Sequence, residues 1–228
     1  MSSAPRLYLI TDRTATGGRA LWEVVAAALS GIAGSGLDPA DVAVQLREKD
    51  LDGRALADLG RALRATTAAA GVRLFINDRI DVALAVGADG VHLGGTSLAP
   101  AEARAIAPAL AVAVSTHGLA DVRAAVGDSA RATFAVFGPI HDTPSKRAYG
   151  PPLGVDALAE AALLDFPLLA LGGLDARDVP DVLAAGAHGV ACIRPVMAAS
   201  DPATVVRGLC QALFQALATS SVRPPYRT

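Results

Sequence analysis

Gln45, Arg47 and Lys49 place an amide and two cations at alternate positions around the end of a short apolar run. Along a strand, residues two apart share a face. If that face lines an interior, a charged arginine on it is costly unless it is paired or holds an anion. Arg47 has Asp12 and Asp78 as candidate partners, and a substrate phosphate is the other reading. A second anion-binding chemistry lies in Phe137–Gly154, which reads FGPIHDTPSKRAYGPPLG. This stretch follows the apolar run Thr133–Phe137 and collects Gly138, Pro139, Pro144, Gly150, Pro151 and Pro152, residues that break regular structure. Thr143, Ser145 and Lys146 offer two hydroxyls and an ammonium, the donors that a phosphate needs. So long a loop inside a compact domain is often functional; the plainer reading is a solvated loop that holds one lysine.

Two further pairs fit the same chemistry. Asn77-Asp78 sets an amide beside a carboxylate. A hard cation such as Mg²⁺ takes carboxylate oxygens and keeps several waters, but Asp78 could equally cap a helix that starts near Arg79. Gly172-Gly173 allows backbone N–H groups to approach an anion closely, and Arg194 follows the next apolar run. His117 and His141 are the candidates for acid–base work near neutral pH.

Such groups must be positioned, and the chain repeats one device to do it. Strands are expected at Arg6–Thr11, Val42–Arg47, Arg73–Ile76, Gly90–Leu93, Ala111–Val114, Thr133–Phe137, Pro167–Leu171 and Gly189–Ile193. Helical patterns fall between and after them, at Ala20–Ser30, Gly53–Ala70, Arg79–Val86, Ala99–Ala107, Leu119–Val126, Val155–Ala162, Ala176–Ala185 and Pro202–Ala218. The strands are near-continuous apolar runs, so they are buried on both faces and parallel. Gly71, Gly186 and the GADG at 87–90 punctuate helix ends. Eight β–α units in succession predict a (β/α)8 TIM barrel, a single domain over 1–228 with its core at about 6–218 and a tail at 219–228. A doubly wound open sheet is disfavoured, because no strand leads into a GxGxxG turn. In a (β/α)8 barrel the chemistry sits at the C-terminal strand ends, and the polar residues fall there: Thr11-Asp12, the Gln45 set, Asn77-Asp78, His92, Ser115-Thr116-His117, Gly172-Gly173 and Arg194.

Composition narrows the classes. The 228 residues are 52% hydrophobic with a formal net charge of −2, enough for a sizeable core and no general attraction to nucleic acid or acidic membranes. Cys192 and Cys210 make no disulfide framework and suit a reducing cytosol. No apolar run approaches the ~18 residues of a membrane span. The start, MSSAPRLYLITDR, lacks the apolar centre of a secretory signal, so a cytoplasmic location is expected. The oligomeric state stays open, with a homo-oligomer allowed.

LYLITDR at 7–13, QLREKD at 45–50, INDRIDVALAVGADGVHLG at 76–94, VSTH at 114–117, FGPIHDTPSK at 137–146, ALGGL at 170–174 and GAHGVACI at 186–193 stand in one order over nearly the whole barrel. In this the chain resembles the thiamine phosphate synthase/TenI family. The resemblance implies an enzyme that joins hydroxymethylpyrimidine diphosphate to a thiazole phosphate, releasing diphosphate and forming thiamine phosphate. It maps the pyrimidine diphosphate onto Gln45, Arg47, Lys49, Asn77, Ser115 and Lys146, and an Mg²⁺ carboxylate onto Asp78. It maps the thiazole phosphate onto Thr143, Ser145, Gly173 and the strand-eight end. The chain departs from the synthase pattern after HLG, where Gly95, Thr96 and Ser97 replace an acidic stretch that would give a second metal ligand, so a weakened Mg²⁺ site is expected. Arg194 also replaces a small residue. Both changes resemble the TenI branch, which tautomerises the thiazole phosphate; but that branch's histidine is Pro139 here, with His141 two residues on. Synthase is the favoured reading, with a tautomerase or a non-catalytic precursor-binding barrel as alternatives.

Overall fold

The computed structural model describes residues 4–127, 132–142 and 151–219. Strands β1 (Leu7–Ile10), β2 (Val42–Leu46), β3 (Arg73–Asn77), β4 (Gly90–Leu93), β5 (Ala111–Thr116), β6 (Phe134–Phe137), β7 (Leu168–Leu171) and β8 (Gly189–Cys192) pair in chain order, all parallel. The pairing of β8 with β1 closes the barrel. Helices α1 (Leu21–Ser30), α2 (Gly53–Ala69), α3 (Ile80–Val86), α4 (Pro100–Ile106), α5 (Leu119–Gly127), α6 (Gly154–Ala162), α7 (Val179–Ala184), α8 (Arg194–Met197) and α9 (Pro202–Thr219) lie outside it. The expected (β/α)8 barrel is therefore the fold. The end of β8 departs from expectation. Arg194 does not simply end a strand but opens α8, four residues long, too short to leave a helical period in the sequence. Helix α9 runs to Thr219, just past the expected core.

Closure divides the side chains into two sets by parity. Outward residues such as Leu9, Val44, Leu74 and Val190 pack under the helices in one core. Inward residues, among them Tyr8, Ala43, Phe75, Ala113, Phe134, Val136, Leu169 and Ala191, fill the barrel itself. The rings of Tyr8, Phe75 and Phe134 meet edge to face with centroids 5.3–5.6 Å apart, the arrangement that opposes negative faces to positive edges. Small side chains, Ala43, Ala111, Ala113 and Ala191, share the interior with these three large rings and with Val136 and Leu169. Cys192 on β8 and Cys210 on α9 are both buried free thiols, and burial pushes them up to about 12 and about 11. Among the described residues no helix is long and apolar enough to cross a membrane.

Gly90 faces the aromatic cluster. A Cβ there would lie 2.7 Å from the Ala111 carbonyl oxygen and closer still to the Phe75 ring. The backbone oxygen belongs to the β4–β5 pairing and cannot retreat. Gly90→Ala is expected to cost about 1–3 kcal/mol, the usual range for overpacking, read as a lower urea midpoint at unchanged slope.

Candidate functional site

At the C-terminal ends of the strands the inward parity turns polar. Gln45 lies level with Ile10 on β1 and Phe75 on β3, and Arg47 follows two residues on. Gln45 is 0% exposed, and neither its amide nitrogen nor its amide oxygen has a hydrogen-bond partner among the described residues. The Tyr8 hydroxyl is near enough for Gln45 to oppose the rise in its pKa that burial causes, yet outside bonding geometry. An orphaned buried amide is costly, so it calls for a bound partner.

His92 on β4, level with Asn77 on β3, is buried at 3% exposure. Its Nε2 is 2.9 Å from Ser115 Oγ, its Nδ1 is 3.4 Å from the Tyr8 hydroxyl, and its ring stacks on Tyr8. Burial, helped by the positive charge of Arg47, holds the ring neutral by lowering its pKa to about 3. A neutral imidazole carries one N–H, so one of the two hydroxyls must donate to the ring while the other accepts. Ser115 is thus oriented from below.

Above this floor opens a cavity of about 710 Å³. Its walls include Arg47, Lys49, Asn77, Asp78, the turn from Gly94 to Ser97, His117 and Pro139. The Arg47 guanidinium is partly buried and forms no ion pair with any described residue, so pairing with Asp12 or Asp78 does not account for it. Asp12 instead caps the turn after β1, accepting from Thr14 N at 3.1 Å. Asp78 is not the cap of α3: that position is Arg79, and Asp78 holds a left-handed backbone at φ 64°. Strain of this kind in a non-glycine residue concentrates at functional sites. The Asp78 carboxylate makes no hydrogen bond or ion pair among the described residues, while Arg79 pairs with Asp81. Ser97 Oγ accepts from Gly94 N at 2.7 Å and closes the tight turn after β4. His117 Nδ1 lies 2.7 Å from the Gly138 carbonyl oxygen. A carbonyl only accepts, so Nδ1 carries a proton, and Nε2 is left facing away from this bond.

The remaining expected residues sit elsewhere. Gly172 (φ 115°) and Gly173 (φ 67°) form the turn after β7, packed against Pro139. His141 N donates to the Gly172 carbonyl at 3.0 Å, and its half-exposed ring has Nε2 3.4 Å from Asp178 Oδ1. Arg194 is exposed at the start of α8. None of these four lines the cavity walled by Arg47 and Asp78. Thr143, Ser145 and Lys146 lie outside the described residues. Sequence reasoning misses Glu48, buried at 6% exposure beneath the β2 end, and gives His92 no role. The signal for His92 is its parity with Gly90; Glu48 gives none, being flanked by two cations. Among the described residues no group of three or more His, Cys, Asp or Glu could hold a metal.

A barrel whose mouth carries an inward-facing cation, with no protein partner among the described residues, belongs to the class that handles phosphorylated small molecules. The chain belongs to the thiamine monophosphate synthase family, whose sequence profile matches residues 7–196. A protein of Geobacter sulfurreducens is 48% identical over 205 residues, covering 89% of this chain and 92% of its own. The thiamine-phosphate synthase of Roseiflexus castenholzii is 43% identical over 212 residues, covering 92% of this chain and 88% of its own. The solved thiamine phosphate pyrophosphorylase of Pyrococcus furiosus superposes with a TM-score of 0.80 at 30% identity, over 93% of this chain and 96% of that one.

His92, at about 3, and His188, which burial and Arg6 bring to about 4, both titrate far below the unfolded imidazole, near 6.5. Below that value the unfolded chain binds protons that the folded chain refuses. Their contribution is therefore complete above about pH 6.5 and is lost as pH falls toward the folded values, by up to about 1.4 kcal/mol per pH unit for each ring. Urea unfolding at pH 7 and pH 5 is expected to show the loss, and a folded His92→Gln variant to show a smaller one.

Proposed function

We propose that the protein is a thiamine phosphate synthase, coupling hydroxymethylpyrimidine diphosphate with thiazole phosphate to release diphosphate. The observation that carries this reading is the Arg47 guanidinium, inward by parity and without a carboxylate partner among the described residues, in the same cavity wall as Lys49 and Asp78. Family relatives named as synthases at 43% and 42% identity support it. In the reaction the C–O bond between the pyrimidine methylene carbon and the diphosphate breaks, and diphosphate leaves with the electron pair. The thiazole nitrogen then forms the new C–N bond. Proton transfer is not needed for that step; positioning and neutralisation of the leaving charge are.

The roles follow from chemistry. Arg47, Lys49 and Lys146 hold the diphosphate by charge-assisted hydrogen bonds. Gln45, Asn77 and Ser115 bind the pyrimidine, with the unpartnered Gln45 amide offering a donor and an acceptor side by side. Thr143, Ser145, Gly172, Gly173 and Arg194 take the thiazole phosphate, and His117, in the cavity wall, binds substrate through its Nε2. Asp78, free of partners among the described residues, suits a hard cation held jointly by one carboxylate, waters and substrate oxygens. Bound Mg²⁺ would neutralise charge on the departing diphosphate. The substrates are small and phosphorylated, nucleic acid is no partner, and the setting is the cytoplasm.

The tautomerase reading has His141 as its acid–base group. The ring's place beside Asp178, outside the cavity lining, supports coupling instead.

Purified protein given both substrates and Mg²⁺ is expected to form thiamine phosphate. Arg47→Ala should weaken pyrimidine diphosphate binding by roughly 1.5–3 kcal/mol, and His141→Ala should leave coupling within about tenfold, or ~1.4 kcal/mol of barrier. Deuterium exchange into the thiazole that is fast in the parent and lost in His141→Ala, with no coupling in either, would install the tautomerase. Precursor binding without either activity would leave a binding protein.

Ser97→Asp keeps an acceptor for Gly94 N–H and adds a carboxylate to the cavity lining that includes Asp78. It is expected to lower the Mg²⁺ concentration giving half-maximal coupling, measured by metal titration of the initial rate. An unchanged titration places the second metal contact away from this turn.

A further inference from the structure

Glu48 is the one acid in REK, between Arg47 and Lys49, yet it forms no ion pair with either. Its side chain turns back beneath the strand end, 4% exposed. There Oε1 accepts from Thr11 Oγ1 at 2.7 Å and from Arg13 N at 3.1 Å, while Oε2 lies 3.2 Å from the same N–H. The Arg13 guanidinium bridges outward to Asp50, with Nε 3.8 Å from Glu48 Oε2. The carboxylate therefore ties the turn after β1 to the turn after β2.

Thr11 transmits this tie. It is fully buried, and its N–H continues the β1–β2 pairing by donating to the Gln45 carbonyl at 2.9 Å. Its hydroxyl has one proton, and that proton goes to Glu48. The oxygen's lone pairs are then turned to the Arg47 backbone N–H, which donates to it at 2.9 Å. That bond fixes the residue from which the guanidinium projects, in the place where the strand pairing has run out. A carboxylate can only accept, so it holds the Thr11 hydroxyl in this sense; a neutral amide keeps one acceptor, loses the charge, and turns its N–H₂ in place of Oε2 toward the Arg13 N–H and Nε, which are donors themselves. Burial raises the Glu48 pKa, with Thr11 and the Arg13 backbone opposing the rise.

We propose that Glu48, acting through the Thr11 hydroxyl, is a positioning residue that sets Arg47 for a diphosphate group while leaving its charge uncancelled. The inference rests on the reading of this cavity as a diphosphate site. Its negative charge is taken up by Thr11 and Arg13, so the anion meets Arg47 and Lys49 with their charges intact. Removing it disorders the aim of Arg47 rather than removing a contact to the ligand.

The test is calorimetry with inorganic diphosphate on the full chain, with melting temperature recorded for every variant. Glu48→Gln and Thr11→Val should each weaken binding about five- to tenfold, and Thr11→Ser, which keeps the hydroxyl, should restore it. In an Arg47→Ala background Glu48→Gln should change the affinity less than about twofold, because residues acting through one another are not additive. In the coupling assay KM should rise for the pyrimidine diphosphate and not for the thiazole phosphate. Equal weakening with and without Arg47, or a lower melting temperature at unchanged diphosphate affinity, would overturn the proposal and leave a structural tie. Should Glu48→Gln fail to fold, the Thr11→Val and Thr11→Ser pair decides in its place. Parent protein that binds diphosphate without coupling would sink the synthase reading and leave this test intact; parent protein that does not bind diphosphate sinks both.

Discussion

Closing eight parallel strands into a ring forces every second side chain into a volume that water does not enter. Apolar residues accept that readily, and the Tyr8, Phe75 and Phe134 rings with their alanine neighbours fill the middle of the barrel. The ring cannot be filled this way to its end, because an apolar end would leave nothing to bind with. Polarity therefore appears toward the C-terminal rim, where Gln45, His92, Ser115 and Arg47 continue the same inward parity. Depth separates them: His92, buried, is kept neutral, and Arg47 is partly open to the cavity.

The polar groups toward this rim divide by whether the protein satisfies them. Thr11, Glu48 and the Arg13 backbone close a hydrogen-bonded set among themselves. His92 is held between Tyr8 and Ser115. Gln45, Arg47 and Asp78 have no such closure among the described residues, and Asp78 additionally carries a strained backbone. Satisfied groups fix geometry, and unsatisfied ones hold interaction energy in reserve for a ligand. The division explains why neighbours in one hexapeptide, QLREKD, do opposite work.

Much of this is legible in the order of the residues alone. Eight apolar runs separated by helical patterns imply the barrel, since a strand buried on both faces has few ways to read otherwise. Strict alternation identifies Gln45 and Arg47 as inward. It stops being a guide one residue past the end of β2 at Leu46: Glu48 and Lys49 lie in a turn, and Glu48 folds back under the strand. A charged residue between two cations reads as a solvated face, and only tertiary contacts with Thr11 and Arg13 show otherwise. The same limit applies to His141. Two-residue spacing from Pro139 implies a shared face only on an extended strand, and β6 has ended at Phe137. Asp78 reads equally as a metal ligand or a helix cap, and its left-handed φ, invisible in the sequence, removes the cap.

The two cysteines give the molecule a pair of built-in clocks. A thiol reagent attacks the thiolate, and with pKa values pushed to about 12 and about 11 both sulfurs are almost entirely protonated and screened at neutral pH. Modification therefore waits for the chain to open around each sulfur. Cys192 sits in the wall of the barrel and Cys210 in α9, on the helical layer around it, so their labelling rates time two different openings: the parting of β8 from its neighbours, and the lifting of α9 from α1 and α7. If the helix lifts more readily than the ring opens, as peripheral elements commonly do, Cys210 is consumed first. The order of alkylation would then record which layer of the fold yields first.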